Sequence, residues 1–148
     1  MTDFPLKSPA LTAKGCRWIA VPGASDARGS VNFLQAGQAL PFQPVRIFWL
    51  HHVAPGAWRG RHGHRQSELA FVALNGGCRF HLDDGTVREA VTLDDPTRAL
   101  YLAPWVWHEL TDFAPQTAVM VIASSLYEEA EYLRDYDAFR REVTGQMP

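Results

Sequence analysis

ALNGGCRFHLDDGTVREAVTL, residues 73–93, reads as strand, turn, strand, turn, strand. Asn75-Gly76 and Asp84-Gly85 are the residue pairs that a tight hairpin demands for positive φ, so each predicts a hairpin between the runs that flank it. Outward from this stretch the alternation of short β-type run and turn signal continues: RWIAV (17–21), VNFL (31–34), VRIFWLHHV (45–53) and LAFVAL (69–74) on one side, ALYLA (99–103) and TAVMVIAS (117–124) on the other. Roughly nine strands at this spacing predict an all-β sandwich or barrel. The pattern changes at Ser125. YEEAEYLRDYDAFRREV (127–143) sets Tyr132, Leu133, Tyr136 and Phe139 at helical spacing, with acids early and Arg140 and Arg141 late, which predicts a short C-terminal helix over 126–143.

A chain of 148 residues suits one domain, 1–148, able to bury about 70% of the surface its unfolded form exposes. Hydrophobic residues at 47% and charged residues at 20% exclude wholesale disorder. With a net charge of −2 and a pI near 6.3 the chain has no basic field of the kind that condenses on nucleic acid, so an anionic ligand must be held by a local cluster. No run approaches the ~20 apolar residues of a membrane span and the N-terminus lacks the apolar core of a signal peptide, which points to the cytoplasm. Cys16 and Cys78 are far apart and outside any CxxC motif, as expected of reduced, buried thiols. Residues 1–15 read as an N-terminal arm.

WRGRHGHRQSEL, residues 58–69, carries the chemistry. On a strand alternate residues share a face, so His62 and His64 point the same way, and Glu68 joins them if the strand runs on without a bulge. Two imidazoles on an inner face are unfavourable unless solvated, paired or used. One use is a divalent metal held by His62, His64, Glu68 and a distant histidine, for which His108 is the candidate. The other is acid–base chemistry without metal, because an imidazole pKa near ~6.5 lets one ring accept and another donate a proton. Arg59, and Arg46 on the preceding strand, offer fixed positive charge for a phosphate or a developing enolate.

The blocks DARGS (26–30), LPF (40–42) followed by Arg46, RGRHGHR (59–65), LNGGCRFHLDDG (74–85), LYLAPWVWHE (100–109) and IASSLYEEAEYLRDYDAF (122–139) occur in order and at matching intervals. With them the chain resembles the nucleotide-sugar 3,4-ketoisomerases, WxcM-like cupins, from about Asp26 to Phe139. The resemblance implies a cupin-type jelly-roll barrel, usually a homodimer through exchanged strands, that needs no metal or other cofactor. It implies a nucleotide-diphosphate deoxysugar as substrate and the two histidines of the HxH block, His62 and His64, as the catalytic pair. Proton removal from C3 beside the C4 ketone, an enediol, and proton return at C4 would move the carbonyl. An epimerase or a sugar-binding module for the same ligand class is the alternative, beside the metal-dependent enzyme.

Arg46 and Arg59 match family positions and are expected to orient the diphosphate or the keto sugar. Tyr101 and Trp107 are candidates for the pocket lining. The chain departs from the family at three places: Phe48 stands where a tyrosine is common, Leu69 where glutamine is frequent, and Gln35 where glutamate is frequent. A pocket that loses a polar partner discriminates differently, so these positions bear on the substrate more than on the histidine pair.

Overall fold

The computed structural model describes residues 10–146. Every ladder between its strands is antiparallel, and two five-stranded sheets carry the fold. The first runs β1 (Cys16–Ala20), β9 (Arg98–Leu102), β6 (Leu69–Asn75), β11 (Ala118–Ala123), β4 (Arg46–His51). The second runs β12 (Tyr132–Leu133), β5 (Arg59–His64), β10 (Trp107–Thr111), β7 (Cys78–Asp83), β8 (Arg88–Leu93). A separate hairpin joins β2 (Gly23–Asp26) to β3 (Gly29–Asn32), whose last two residues begin the expected VNFL run. The two large sheets face each other in the manner of a jelly roll, without closing into a continuous barrel.

Period-two alternation decides which side chains meet between the sheets. Phe71, Leu100, Leu102, Val119 and Val121 from the first sheet pack on Phe80, Leu82, Leu93 and Leu110 from the second, all at most 2% exposed. Cys16 and Cys78 belong to the same core as free thiols, and burial pushes both up to about 12. A second apolar cluster forms on the outer face of the first sheet, where Leu40 and Phe42 of the loop before β4 cover Ile19, Ala70, Val72 and Ile122.

The two turn signals behave differently. Asp84-Gly85 closes a true hairpin: β7 pairs β8 from Cys78↔Leu93 to Asp83↔Arg88, Gly85 has φ +93°, and Asp84 Oδ1 accepts the amides of Thr86 and Val87, each at 2.7 Å. Asn75-Gly76 does not. β6 and β7 lie in different sheets, so this turn carries the chain across the core. Thr117 holds the crossing, its hydroxyl accepting from the Gly77 amide at 3.0 Å and lying so close to Gly76 that a Cβ there would collide with it. Burial of both flanking strands against opposite sheets outweighs the local preference for pairing them.

The helix expected over 126–143 is shorter and starts later. A 3-10 turn (Glu129–Glu131) leads into β12, which pairs β5, and α1 occupies Tyr136–Gln146. Asp135 caps it, its Oδ1 accepting the Ala138 amide at 2.7 Å while its carbonyl takes the first helical bond from Phe139. Of the arm, residues 1–9 lie outside the described residues. Residues 12–14 dock on the second sheet, the Thr12 and Ala13 amides donating to Glu89 and the Lys14 amide to Asp84. No helix among the described residues is long and apolar enough to cross a membrane.

Candidate active site

β5 sits between β10 and β12 and turns His62 and His64 inward. Its ladder with β10 is irregular, with the register shifting between His108 and Glu109, and with Gly60 at φ +81° and Arg61 at φ +60°. Glycine is required at position 60, because a Cβ there would lie 2.9 Å from the His108 carbonyl oxygen. Such a bulge re-aims side chains, and here His108 faces His62 across the ladder. Three imidazoles therefore cluster. The ring centroid of His62 lies 5.0 Å from that of His64 and 4.7 Å from that of His108, and His64 stacks on His108 at 5.9 Å.

The rings form the floor of a cavity of about 370 Å³. Phe48, Leu50, Leu69 and Phe71 of the first sheet make one wall, and Trp58, Arg59, Tyr132 and Arg134 lie on the others. Tyr132 packs its ring 4.4 Å from His64 and 5.0 Å from His62. Arg46 reaches the same region, with Nη2 3.5 Å from the Tyr132 hydroxyl. Phe48 and Leu69, two of the departures from the family pattern, face the cavity, while Gln35 lies exposed in the loop before β4.

The electrostatics separate the three histidines. Burial and the neighbouring His64 lower His62 to about 4. Burial takes His108 well below its usual value, and Nδ1 of both His62 and His108 is buried without a hydrogen-bond partner. His64 is also lowered by burial, but Glu131 opposes the shift: His64 Nδ1 donates to Glu131 Oε1 at 3.0 Å. All three rings are thus neutral near pH 7.

Three sequence expectations need correcting. Tyr101 points out of the core, because Leu100 and Leu102 on either side of it point in, and its hydroxyl donates to Glu68 at 2.6 Å. Trp107 points away from the cavity for the same reason of parity with His108. It packs on Tyr136 and Phe139 beneath α1 and borders a separate outer groove. Glu68 lies beyond the end of β5 and does not join the histidines. Among the described residues the group close enough to share a cation is His62, His64 and His108, with ring nitrogens within 4.8 Å of one another, so His108 and not Glu68 joins the pair. Glu131, Tyr132 and Arg134 were missed by sequence reasoning, which assigned them to a helix. Asp135 was the available signal, since a cap at that position starts the helix at 136 and leaves 129–134 free to pair.

The model of the family described as FdtA, WxcM-like, C-terminal, matches residues 14–144. The chain belongs to this family. Among FdtA-type relatives, the TDP-4-oxo-6-deoxy-alpha-D-glucose-3,4-oxoisomerase of Aneurinibacillus thermoaerophilus is 39% identical over 118 residues, which cover 80% of this chain and 85% of the relative. The 3,4-ketoisomerase QdtA of Thermoanaerobacterium thermosaccharolyticum, solved as a variant in complex with TDP-4-keto-6-deoxyglucose, superposes with a TM-score of 0.88 at 26% identity over 90% of this chain and 97% of its own. A 3,4-ketoisomerase from Helicobacter canadensis gives a TM-score of 0.84 at 31% identity over 87% and 97%. The family and the ketoisomerase class of these relatives agree with what the sequence resemblance implies.

Proposed function

We propose that this chain moves the carbonyl of a thymidine-diphosphate-linked 4-keto-6-deoxyhexose from C4 to C3 by histidine acid–base catalysis. The observation that carries this reading is the pair of neutral imidazoles, His62 and His64, 5.0 Å apart in a cavity of an FdtA-type enzyme. A neutral ring takes the C3 proton, made acidic by the adjacent C4 carbonyl, and the electron pair of that C–H bond forms the C3–C4 double bond of an enediol. The C4 oxygen gains a proton as the C3 hydroxyl loses one, and C4 then receives the carbon proton. C3 is oxidised and C4 reduced by the same two electrons, so the balance calls for no external redox partner.

His64 takes the carbon proton in this reading and His62 assists transfer between the two oxygens. Arg59 on the cavity wall and Arg46 beside Tyr132 orient the diphosphate or the keto sugar. The substrate is inferred from the names of the relatives, and Phe48 and Leu69 in the wall are the positions that would adapt it to a related sugar. We further propose a cytoplasmic homodimer that supplies a 3-keto sugar for amination on the way to surface polysaccharide.

Proton NMR of chelator-treated protein with thymidine-diphosphate-4-keto-6-deoxyglucose in deuterated buffer tests the reaction. The 4-keto signals should fall as a 3-keto product grows, and a His64→Asn control should be inert. Deuterium exchange without carbonyl migration would replace isomerisation by epimerisation, and no reaction with any nucleotide-linked 4-keto sugar would end the proposal.

A further inference from the structure

We propose that Glu131 is the positioning residue that makes His64 the proton acceptor of the pair, by holding its ring with Nδ1 protonated and the Nε2 lone pair available to the cavity. The inference rests on the acid–base reading above and deepens it by giving a cause for the division of labour between the histidines.

Glu131 is 5% exposed and enters from the 3-10 turn before β12, 67 positions away from His64 in the chain. Four donors converge on its carboxylate. Oε2 accepts the amides of Gln66 and Ser67, both at 3.0 Å, while Oε1 accepts the Ser67 hydroxyl and His64 Nδ1. An amide N–H can only donate, so Oε2 carries no proton. The Ser67 hydroxyl also meets the Ser125 hydroxyl at 2.5 Å, and that contact can supply the hydrogen bond it accepts while it donates to Glu131. Burial would raise the Glu131 carboxyl, but these hydrogen bonds outweigh it and hold the group below its usual value. The acid is therefore ionised, and an ionised carboxylate only accepts. The hydrogen between it and the imidazole must sit on Nδ1. A neutral imidazole has one N–H, so Nε2 is the acceptor. His62 has no carboxylate partner: its Nδ1 makes no well-formed hydrogen bond, and a backbone contact with Gly60 favours its protonated form.

A purely structural role accounts for half of this geometry. Oε2, bonded to the Gln66 and Ser67 amides, fastens the turn after β5 to the C-terminal segment. Stapling does not account for Oε1, which is directed at a cavity-lining imidazole. Once His64 has taken the carbon proton, the same carboxylate faces an imidazolium and stabilises it, as an acid partner does in a catalytic triad.

Glu131→Gln separates the two roles. Its carbonyl oxygen can still accept from the Gln66 and Ser67 amides, so the staple is kept. Its NH₂ then faces Nδ1 and donates, which forces the imidazole proton onto Nε2, and a ring protonated there cannot receive a carbon proton. Long-range ¹H–¹⁵N spectra of the labelled full-length protein should show His64 with Nδ1 protonated in the wild type and Nε2 protonated in the variant. In the same preparations kcat should fall on the order of 10²–10⁴-fold, with KM changed less than about threefold. The wild-type spectrum needs no variant to fold, and a His64 protonated on Nε2 would by itself overturn the proposal. So would a folded Glu131→Gln that keeps kcat within about threefold of an active wild type. A wild type inert toward every nucleotide-linked 4-keto sugar would instead sink the isomerase reading, which the NMR assay of that reaction detects without reference to Glu131.

Discussion

Arg46 is held where an anion would complete its contacts. Its guanidinium lies 5.1 Å from the Phe48 ring and 5.6 Å from that of Tyr127, and its Nε is buried with no hydrogen-bond partner. A buried donor left unpaired is unfavourable, and with the proposed substrate a phosphate or sugar oxygen would supply the missing acceptor. Lysine provides the charge but neither the planar fork nor its stacking. Arg46→Lys should therefore raise KM for the nucleotide sugar about 10- to 100-fold, the worth of one charge-assisted hydrogen bond, while kcat changes less than about threefold. Steady-state kinetics decide it, and a fall in kcat at constant KM would move Arg46 into the transition state. That His62 and His64 share a face was legible in the sequence because a strand has a period of two, whereas Arg46 stood out only as a charge within an apolar strand and as a match to the family pattern. The same rule, applied from His108 and from Leu100 and Leu102, places Trp107 and Tyr101 outside the cavity, where aromatic character alone had suggested lining. Asp135 marked where the helix starts, but the contact of Glu131 with His64 was not legible, since no periodicity links two residues brought together only by the docking of a separate segment.

At the scale of elements, the C-terminal segment both completes the second sheet and supplies one side of the site. Arg65, at the end of β5, ties it down, donating to both Glu142 oxygens at 3.0 and 2.8 Å and to the carbonyls of Ala130 and Tyr132. Leu133, Phe139 and Val143 bury against Trp107 below. Helical spacing in 127–143 was a true signal for the second half of the segment and a false one for the first, where Tyr132 and Leu133 gain more by extending the sheet beside β5. The Asn75-Gly76 turn misleads in the same way, its local chemistry being right and the partner strand wrong. Two substitutions measure how the segment is held. Asp135→Ala removes the helix cap and should cost about 1 kcal/mol. Phe139→Ala, at a site with no exposed surface, should cost about 3–5 kcal/mol. Urea denaturation reads both, and a Phe139→Ala cost below that of Asp135→Ala would show that α1 is only loosely docked.

For the molecule as a whole, an all-β sandwich or barrel followed from strand count and spacing, but which strands form the edges of its open sheets did not, because edges are set by long-range pairing. β4 is such an edge, and its outward side chains Ile47 and Trp49 are 55% and 63% exposed, with Val45 beside them at 47%. An apolar row on an open edge suits a second copy of the chain. Trp49→Asp should convert the proposed dimer to a monomer in light scattering, and a wild type that is already monomeric would exclude the dimer. The three clustered histidines have a consequence for the entire fold. In the unfolded chain each titrates near ~6.5; in the folded chain His62 is lowered to about 4, His64 is lowered, and His108 lies well below its usual value. Between those limits the unfolded chain binds more protons than the folded one, so stability rises with pH and is lost as pH falls below about 6.5. The His62 shift alone corresponds to about 3 kcal/mol once pH has fallen through about 4. Carboxylates of ordinary pKa titrate lower, so the slope between about pH 6.5 and 5 belongs chiefly to histidine. Urea midpoints at fixed protein concentration should fall steadily across that interval, and His108→Leu, which removes one buried ring from the balance, should flatten the slope whatever its own cost at neutral pH. A stability that stays level from pH 7 to 5 would mean that the rings gain protons in the folded state as readily as in the unfolded one, and the neutral cluster inferred for the site would be wrong.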